Sequence, residues 1–160
     1  MQIRSIGIIG TPGCGKTTLC SELDFPVINL KDFAEQNGCL GPICSDGAAE
    51  MDVEKLAQIW VQPNELTLVD GHLAHHLPVD ALVVLRCEPE TLRKRLQDRG
   101  YSSKKVEANV EVELMGGPWS ELLEDSRPIF EGSQGVESWI KAGCPTHSTP
   151  DSATDWINQP

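Results

Sequence analysis

The residues with the clearest chemistry lie near the start of the chain, in Gly10-Thr11-Pro12-Gly13-Cys14-Gly15-Lys16-Thr17-Thr18. A glycine, four residues and then Gly-Lys-Thr is the spacing of a loop that holds a nucleoside triphosphate. Its glycines let the backbone curl until successive N–H groups face a β-phosphate. The amides that open the following helix have no carbonyl partners and add partial positive charge. In this pattern Lys16 reaches the β- and γ-phosphates, the Thr17 hydroxyl sits on the bridging Mg2+, and Thr18 adds a contact to the α-phosphate. Gly13, Cys14 and Gly15 supply the amides of the bend.

A second motif is Leu66-Thr67-Leu68-Val69-Asp70-Gly71-His72. An apolar strand ending in a carboxylate delivers Asp70 toward the magnesium-water shell, since a buried anion at a strand end needs a cation. His72, two residues on, is positioned to orient a water or to hold the loop against the γ-phosphate. A histidine that hydrogen-bonds a backbone carbonyl is the alternative. His75 and His76 crowd the same loop, but no acidic or cysteine partner at zinc spacing accompanies them, and they read as structural or solvent-facing.

The third feature is Arg99-Gly100-Tyr101-Ser102-Ser103-Lys104-Lys105, a glycine hinge within a cluster of cations. The chain has a formal net charge of -11, so a local reversal of sign is informative. It reads as a lid whose Arg99 closes over the transferring phosphoryl group, with a solvated basic surface as the alternative. Arg95 lies one helical turn earlier on the same face, where a phosphate contact and a surface salt bridge are both open readings.

These residues need elements to carry them. Ile3 to Ile9 forms a first strand, and a helix runs from Lys16 to Leu23. Phe25 to Leu30 and Ala81 to Leu85 are further strands; neither the first run nor Phe25 to Leu30 alternates cleanly, as expected of parallel strands covered on both faces. Residues 31–37 read as helical, Gly38 to Asp52 as irregular, and Asp52 as the cap of a helix reaching Trp60. Glu90 to Asp98 and a segment from Ser103 to the Gly116-Gly117-Pro118 breaker are helices. Trp119 to Ala142 reads as helical pieces packing through Leu122, Leu123, Ile129, Trp139 and Ile140. Cys144 to His147 is expected as a fifth, edge strand, followed by a capped final helix carrying Trp156 and Ile157.

A chain of 160 residues is expected to form one domain with a substantial core. Its acidity excludes general attraction to nucleic acid backbones or anionic membranes. With no signal peptide and no bilayer-length apolar run, a cytoplasmic location is expected. Cysteines at 14, 20, 39, 44, 87 and 144 show no CxxC pair and read as reduced thiols incidental to the chemistry.

Taken together, Gly10 to Thr18, Asp70-Gly71-His72 and the string Arg95-Leu96-Gln97-Asp98-Arg99-Gly100-Tyr101-Ser102-Ser103-Lys104-Lys105-Val106-Glu107-Ala108-Asn109 resemble the small adenylate kinases called isoenzyme six, or CINAP proteins. The resemblance covers most of residues 1–113. It implies an α/β fold of the P-loop NTPase, nucleoside-monophosphate kinase type: a five-stranded parallel sheet flanked by helices. A flap over about residues 29–52 would bind the monophosphate and a short lid over about 99–109 would close on it. The implied reaction is ATP plus AMP to two ADP with Mg2+, beside a slow ATPase. Family members also assist small ribosomal subunit maturation and bind a platform ribosomal protein. The alternative function is therefore an ATP-hydrolysing assembly switch whose kinase activity is incidental. The sequence departs from larger adenylate kinases in having no arginine between Lys16 and Arg86, so either Lys31, Arg86 or a lid residue meets the phosphate of AMP or another monophosphate, or affinity for the monophosphate is weak.

Overall fold

The computed structural model describes residues 2–43 and 49–158. Its centre is a sheet of β1 (Ser5–Gly10), β2 (Val27–Asn29), β5 (Thr67–Asp70), β6 (Ala81–Leu85) and β7 (Ile129–Glu131), ordered β2-β5-β1-β6-β7 and parallel throughout. Parallel pairing demands long crossovers, and helices fill them on both faces. These are α1 (Lys16–Glu22), α2 (Leu30–Gln36), α3 (Val53–Ile59), α4 (Pro89–Asp98), α5 (Ser103–Leu114) and α6 (Val136–Lys141). The five-stranded parallel architecture expected from the sequence is therefore present.

Strand alternation divides the core in two. Ile6, Ile8, Leu68 and Val83 pack with Leu19, Leu92, Leu96 and Trp139 on one face. Ile9, Val69, Leu82 and Val84 pack with Leu30, Leu56, Trp60 and Trp119 on the other. No residue of β1, β5 or β6 is exposed, which is why these strands read as continuous apolar runs. Local signals fix the helix starts: Asn29 Oδ1 accepts from Asp32 N, Asp52 Oδ1 from Lys55 N, and Ser102 Oγ from Lys105 N.

Four expectations need correction. The segment from Gly38 to Asp52 contains an antiparallel pair, β3 (Leu40–Ile43) with β4 (Ala49–Met51). Cys44 and the rest of 44–48 lie outside the described residues. The fifth strand is Ile129–Glu131, within a segment expected to be helical, and Cys144 to His147 forms no strand. Leu123 is 62% exposed rather than part of the core. The end of the chain carries only a 3-10 turn, Pro150–Ser152, with Trp156 and Ile157 beyond it. Among the described residues no helix is long and apolar enough to cross a membrane.

Candidate functional site

The site lies at the carboxyl ends of the central strands, where an open α/β sheet forms its crevice. β1 ends in Gly10, and its neighbour β5 ends in Asp70, opposite Ile8 on one side and Asn29 on the other. The loop from Gly10 bends through Gly13 and Gly15, at φ 94 and 98, conformations that favour glycine. At Gly13 a side chain would also meet Leu92 at 2.9 Å, so the bend lies directly against α4.

Lys16 folds back over this loop, donating to Gly10 O at 3.0 Å and Thr11 O at 3.4 Å. Burial, and further the Arg99 charge, lower its pKa from the usual lysine value, against the opposing pull of Asp70. Thr17 Oγ1 donates to Asp70 Oδ2 at 2.8 Å, so the helix after the loop and the end of β5 present two oxygen ligands side by side. Hard oxygens in this arrangement suit a hard divalent cation held beside phosphates.

Two cavities border the loop. The larger, about 1100 Å³, lies between α2, the β3–β4 pair and α5, and its wall includes Lys16, Lys31, Asp70, His72, Tyr101 and Lys105. The smaller, about 600 Å³, is bordered by Gly13, Gly15, Thr18, Arg95, Arg99 and Thr154. Arg99 therefore stands beside the glycine bend. Arg95 donates to Gly13 O at 3.1 Å, which fixes the loop's outer edge, and among the described residues it makes no salt bridge. Gly100, at φ 79, opens the short link from α4 to α5, and the Lys105 ammonium lies 4.3 Å from the Tyr101 ring centre.

His72 reaches the solvent of the larger cavity, yet loss of water on its protein side, then the Lys16 charge and His75, lower its pKa. A lowered native pKa means that the unfolded chain takes up the proton first as the pH falls. The stability held by neutral His72 is thus present above its ordinary value of about 6.5 and is lost as the pH drops through the lower native value. The decline in Tm from pH 7 to pH 5 is expected to be shallower for His72→Gln than for the unaltered chain, as read by calorimetry. An equal slope in the two proteins would refute this.

Cys14 contributes backbone to the bend, but its thiol turns inward, with Sγ 3.8 Å from Glu113 Oε1. Burial, then Glu113, push that thiol up to about 12, and burial pushes Cys20 to about 12. Both stay protonated and unreactive near neutrality.

The largest feature the sequence reading missed is a buried polar cluster behind the loop. Glu113 is fully buried, and its Oε2 accepts from Arg86 Nε at 2.8 Å, Trp156 Nε1 at 2.8 Å and Cys87 N at 3.1 Å. Its Oε1 accepts from Thr11 Oγ1 at 2.7 Å. Arg86 also meets Glu131 at 3.3 Å and Thr154 O at 2.8 Å. With its side chain 4% exposed and so committed, Arg86 is not available to a monophosphate, contrary to one sequence option. A signal did exist: Val106, Val110 and Glu113 follow helical spacing, which sets a carboxylate on a buried face.

The chain is similar to known proteins. The model of the AAA domain family AAA_18 matches residues 6–116. A protein of Pyrococcus abyssi (strain GE5 / Orsay) named "Putative adenylate kinase" is 40% identical over 134 residues, covering 79% of this chain and 72% of its own. Bearers of the same name from Pyrococcus furiosus and Halobacterium salinarum (strain R1) are 39% and 40% identical, over 79% and 74% of this chain and 72% of theirs. Among solved structures, a "putative kinase" from Chloroflexus aurantiacus aligns with a TM-score of 0.52 and 16% identity, over 91% of this chain and 100% of that one, a likeness of fold.

Proposed function

The chain belongs to the AAA_18 family and to that of the archaeal proteins named "Putative adenylate kinase", and on that premise we propose that this P-loop nucleotide kinase makes two ADP from ATP and AMP. The observation that carries the reading is the pair of cavities at one loop, the smaller bordered by Gly13 and Gly15 of the bend and the larger, beneath α2 and α5, bordered by Lys16 and Asp70. Phosphoryl transfer needs two oxygens held in line and charge stabilised on the moving group, with little covalent chemistry from the protein.

In this mechanism the triphosphate lies along the bend, its base and sugar toward the smaller cavity, and the acceptor occupies the larger one. The amides of Gly13 and Gly15 bind phosphate oxygens, with Thr18 beside them. Lys16 leaves its two carbonyl partners to follow the γ-phosphoryl group, and Arg99 approaches from the α4–α5 link, while Arg95 keeps Gly13 in place. Thr17 and Asp70 would hold Mg2+, which supplies Lewis-acid neutralisation of the phosphate charge. Closure of the Arg99–Asn109 segment onto the flap excludes water from the transfer.

The acceptor's phosphate falls to lysine. Lys31, in the first turn of α2, borders the larger cavity with Lys104 and Lys105, whereas Arg86 lies behind the loop in its own ion pairs. Lys31→Ala is expected to raise KM for the monophosphate about tenfold, the size of one charge-assisted bond in a wet site, with KM for ATP nearly unchanged. Coupled assays varying each substrate separately read the difference; equal effects on both would reject the assignment.

The proposal as a whole is tested by product analysis. Purified protein with ATP, AMP and Mg2+ is expected to form two ADP per AMP consumed, and release of inorganic phosphate alone would exclude it. A second reading, hydrolysis of ATP with water as acceptor, is favoured by His72 on the same cavity wall as Lys16 and Asp70. In that reading His72→Ala lowers phosphate release while ADP formation from AMP persists. The ribosomal assembly switch implied by the family resemblance would use this hydrolysis, with the acidic chain facing a basic ribosomal protein. A pull-down free of small-subunit components would remove that role.

A further inference from the structure

Beyond the nucleotide cavities, His75, His76 and Glu121 bring three ligand atoms to within 4.8 Å of one another. The histidines come from the 3-10 turn Ala74–His76 that follows the β5 motif, and Glu121 from the turn Gly117–Glu121 that follows α5. We propose that these three side chains form a binding site for a late first-row divalent metal ion, Zn2+ in preference, separate from the magnesium-type oxygen pair at Thr17 and Asp70.

His75 Nε2 is within hydrogen-bond reach of Glu121, yet both histidine contacts are long for a charge-assisted bond and suit a shared cation. His75 Nε2 and His76 Nε2 each lie 3.3 Å from the same oxygen, Glu121 Oε2. A charge-assisted N–H···O bond closes to about 2.7–2.9 Å. Ligands about 2.0–2.1 Å from a tetrahedral ion are separated by about 3.3 Å. The ion would fit with small adjustments of three side chains. The two rings, 4.2 Å apart, turn the same edge toward the carboxylate.

His75 supplies the second observation. Its side chain is 4% exposed, and Nδ1 is buried with no hydrogen-bond partner among the described residues. A proton held on Nδ1 leaves a bare lone pair on Nε2 facing the carboxylate, an arrangement that a cation between them stabilises. The turn that carries both rings is also fixed in advance. Arg127 donates to the carbonyls of His75 at 2.8 Å, Leu77 at 2.8 Å and Val79 at 3.3 Å. Its charge, which would otherwise repel an ion, is met by Asp125 at 2.6 Å.

Two imidazoles and one carboxylate select for zinc-like ions over magnesium or calcium, whose preference is for oxygen. Three protein ligands leave a position for water, and the 53% exposed side chain of Glu121 gives that position access to solvent. Such an ion would clip the turn after Asp70-Gly71-His72 to the turn closing the lid helix α5. Its binding would therefore stabilise the fold without entering the phosphate site.

The test is Zn2+ titration of the full chain after chelator treatment and dialysis, by calorimetry and thermal melting, without nucleotide. One Zn2+ per chain and a raised Tm are expected. Glu121→Gln and His76→Gln, both at accessible side chains, are expected to weaken binding at least about tenfold, while Lys16→Met keeps it. With Co2+ as the probe, d–d absorption without a thiolate charge-transfer band is expected. No saturable binding, affinity in Glu121→Gln and His76→Gln equal to that of the unaltered chain, or a thiolate band would each overturn the site. Loss of kinase activity alone bears on the other reading and leaves this one standing.

Discussion

Lys16→Met is expected to lower kcat for phosphoryl transfer at least about 100-fold, the effect of deleting one preorganised charge at a developing anion. The replacement keeps the length and apolar stem of lysine while removing only the ammonium. In the structure that ammonium is held by Gly10 O and Thr11 O, so the native loop holds it beside the proposed phosphate path before any ligand arrives. Its burial, which lowers the pKa, also removes the water that would otherwise screen its charge. The phosphate contacts of the loop amides persist in the variant, so ATP affinity should fall less than kcat. A comparison of kcat with the Kd of a fluorescent ATP analogue separates the two. Binding lost as steeply as turnover would assign Lys16 to ground-state affinity; kcat within threefold of the unaltered chain would remove Lys16 from the chemistry.

The same residues show why some of the fold and site can be read directly from sequence. Gly13, Gly15, Lys16 and Thr17 fall within one loop, where spacing and geometry are nearly the same information. Asp70 ends a strand of four buried residues, directly after the apolar Leu68 and Val69, so a carboxylate at its end is conspicuous. β7 offers no comparable signal: three residues between Pro128 and Gly132 cannot display a period, and their place is set by register against Leu82, Val83 and Val84. In β3, Gly41 and Pro42 argue locally for a loop, yet pairing with β4 overrides them at the sheet's edge. Trp156 is held by a hydrogen bond to Glu113 rather than by helical packing, so helix periodicity was the wrong guide to the chain's end.

Long-range partners are the common reason for the remaining misses. His75 and His76 were visible as a crowded pair, but Glu121 arrives from 45 or 46 positions away, after α4 and α5 have folded back across the sheet. Arg86 looked like a cation available to substrate because its partners, Glu113 and Glu131, come from separate elements. A charged residue beside a site is informative only once its counter-charges are located, and adjacency along the chain supplies those for Arg99 no better than for Arg86. Both border the smaller cavity, and what separates them is partners: Arg86 is committed to Glu113, Glu131 and the carbonyl of Thr154, joining the end of β6 to α5 and the chain's end, whereas Arg99 makes no salt bridge among the described residues.

Removing the Glu113 charge should therefore unsettle more than α5. Glu113→Gln conserves shape, but one of its two terminal atoms becomes an N–H donor. Set on the Oε2 side, that group opposes Arg86 Nε, Cys87 N and Trp156 Nε1, all donors themselves. Set on the Oε1 side, it forces the Thr11 hydroxyl to reverse from donor to acceptor and still leaves the Arg86 cation with Glu131 at 3.3 Å as its charged partner. Breaking a buried ion pair on one side costs about 3–5 kcal/mol, because the remaining charge keeps its desolvation penalty. For a chain of this size the corresponding fall in Tm is roughly 10 °C. Urea unfolding of the single variant, and of Glu113→Gln with Arg86→Met, distinguishes a lost attraction from a stranded charge: the double variant should be more stable than the sum of the single changes predicts. A single-variant loss below about 1 kcal/mol, the range of an exposed pair, would show that this cluster is wetter than its fully buried carboxylate indicates. Thr11 makes the effect functional as well as structural, since its hydroxyl ties the phosphate loop to the lid helix through Glu113. Activity should accordingly fall at temperatures where the variant is still folded.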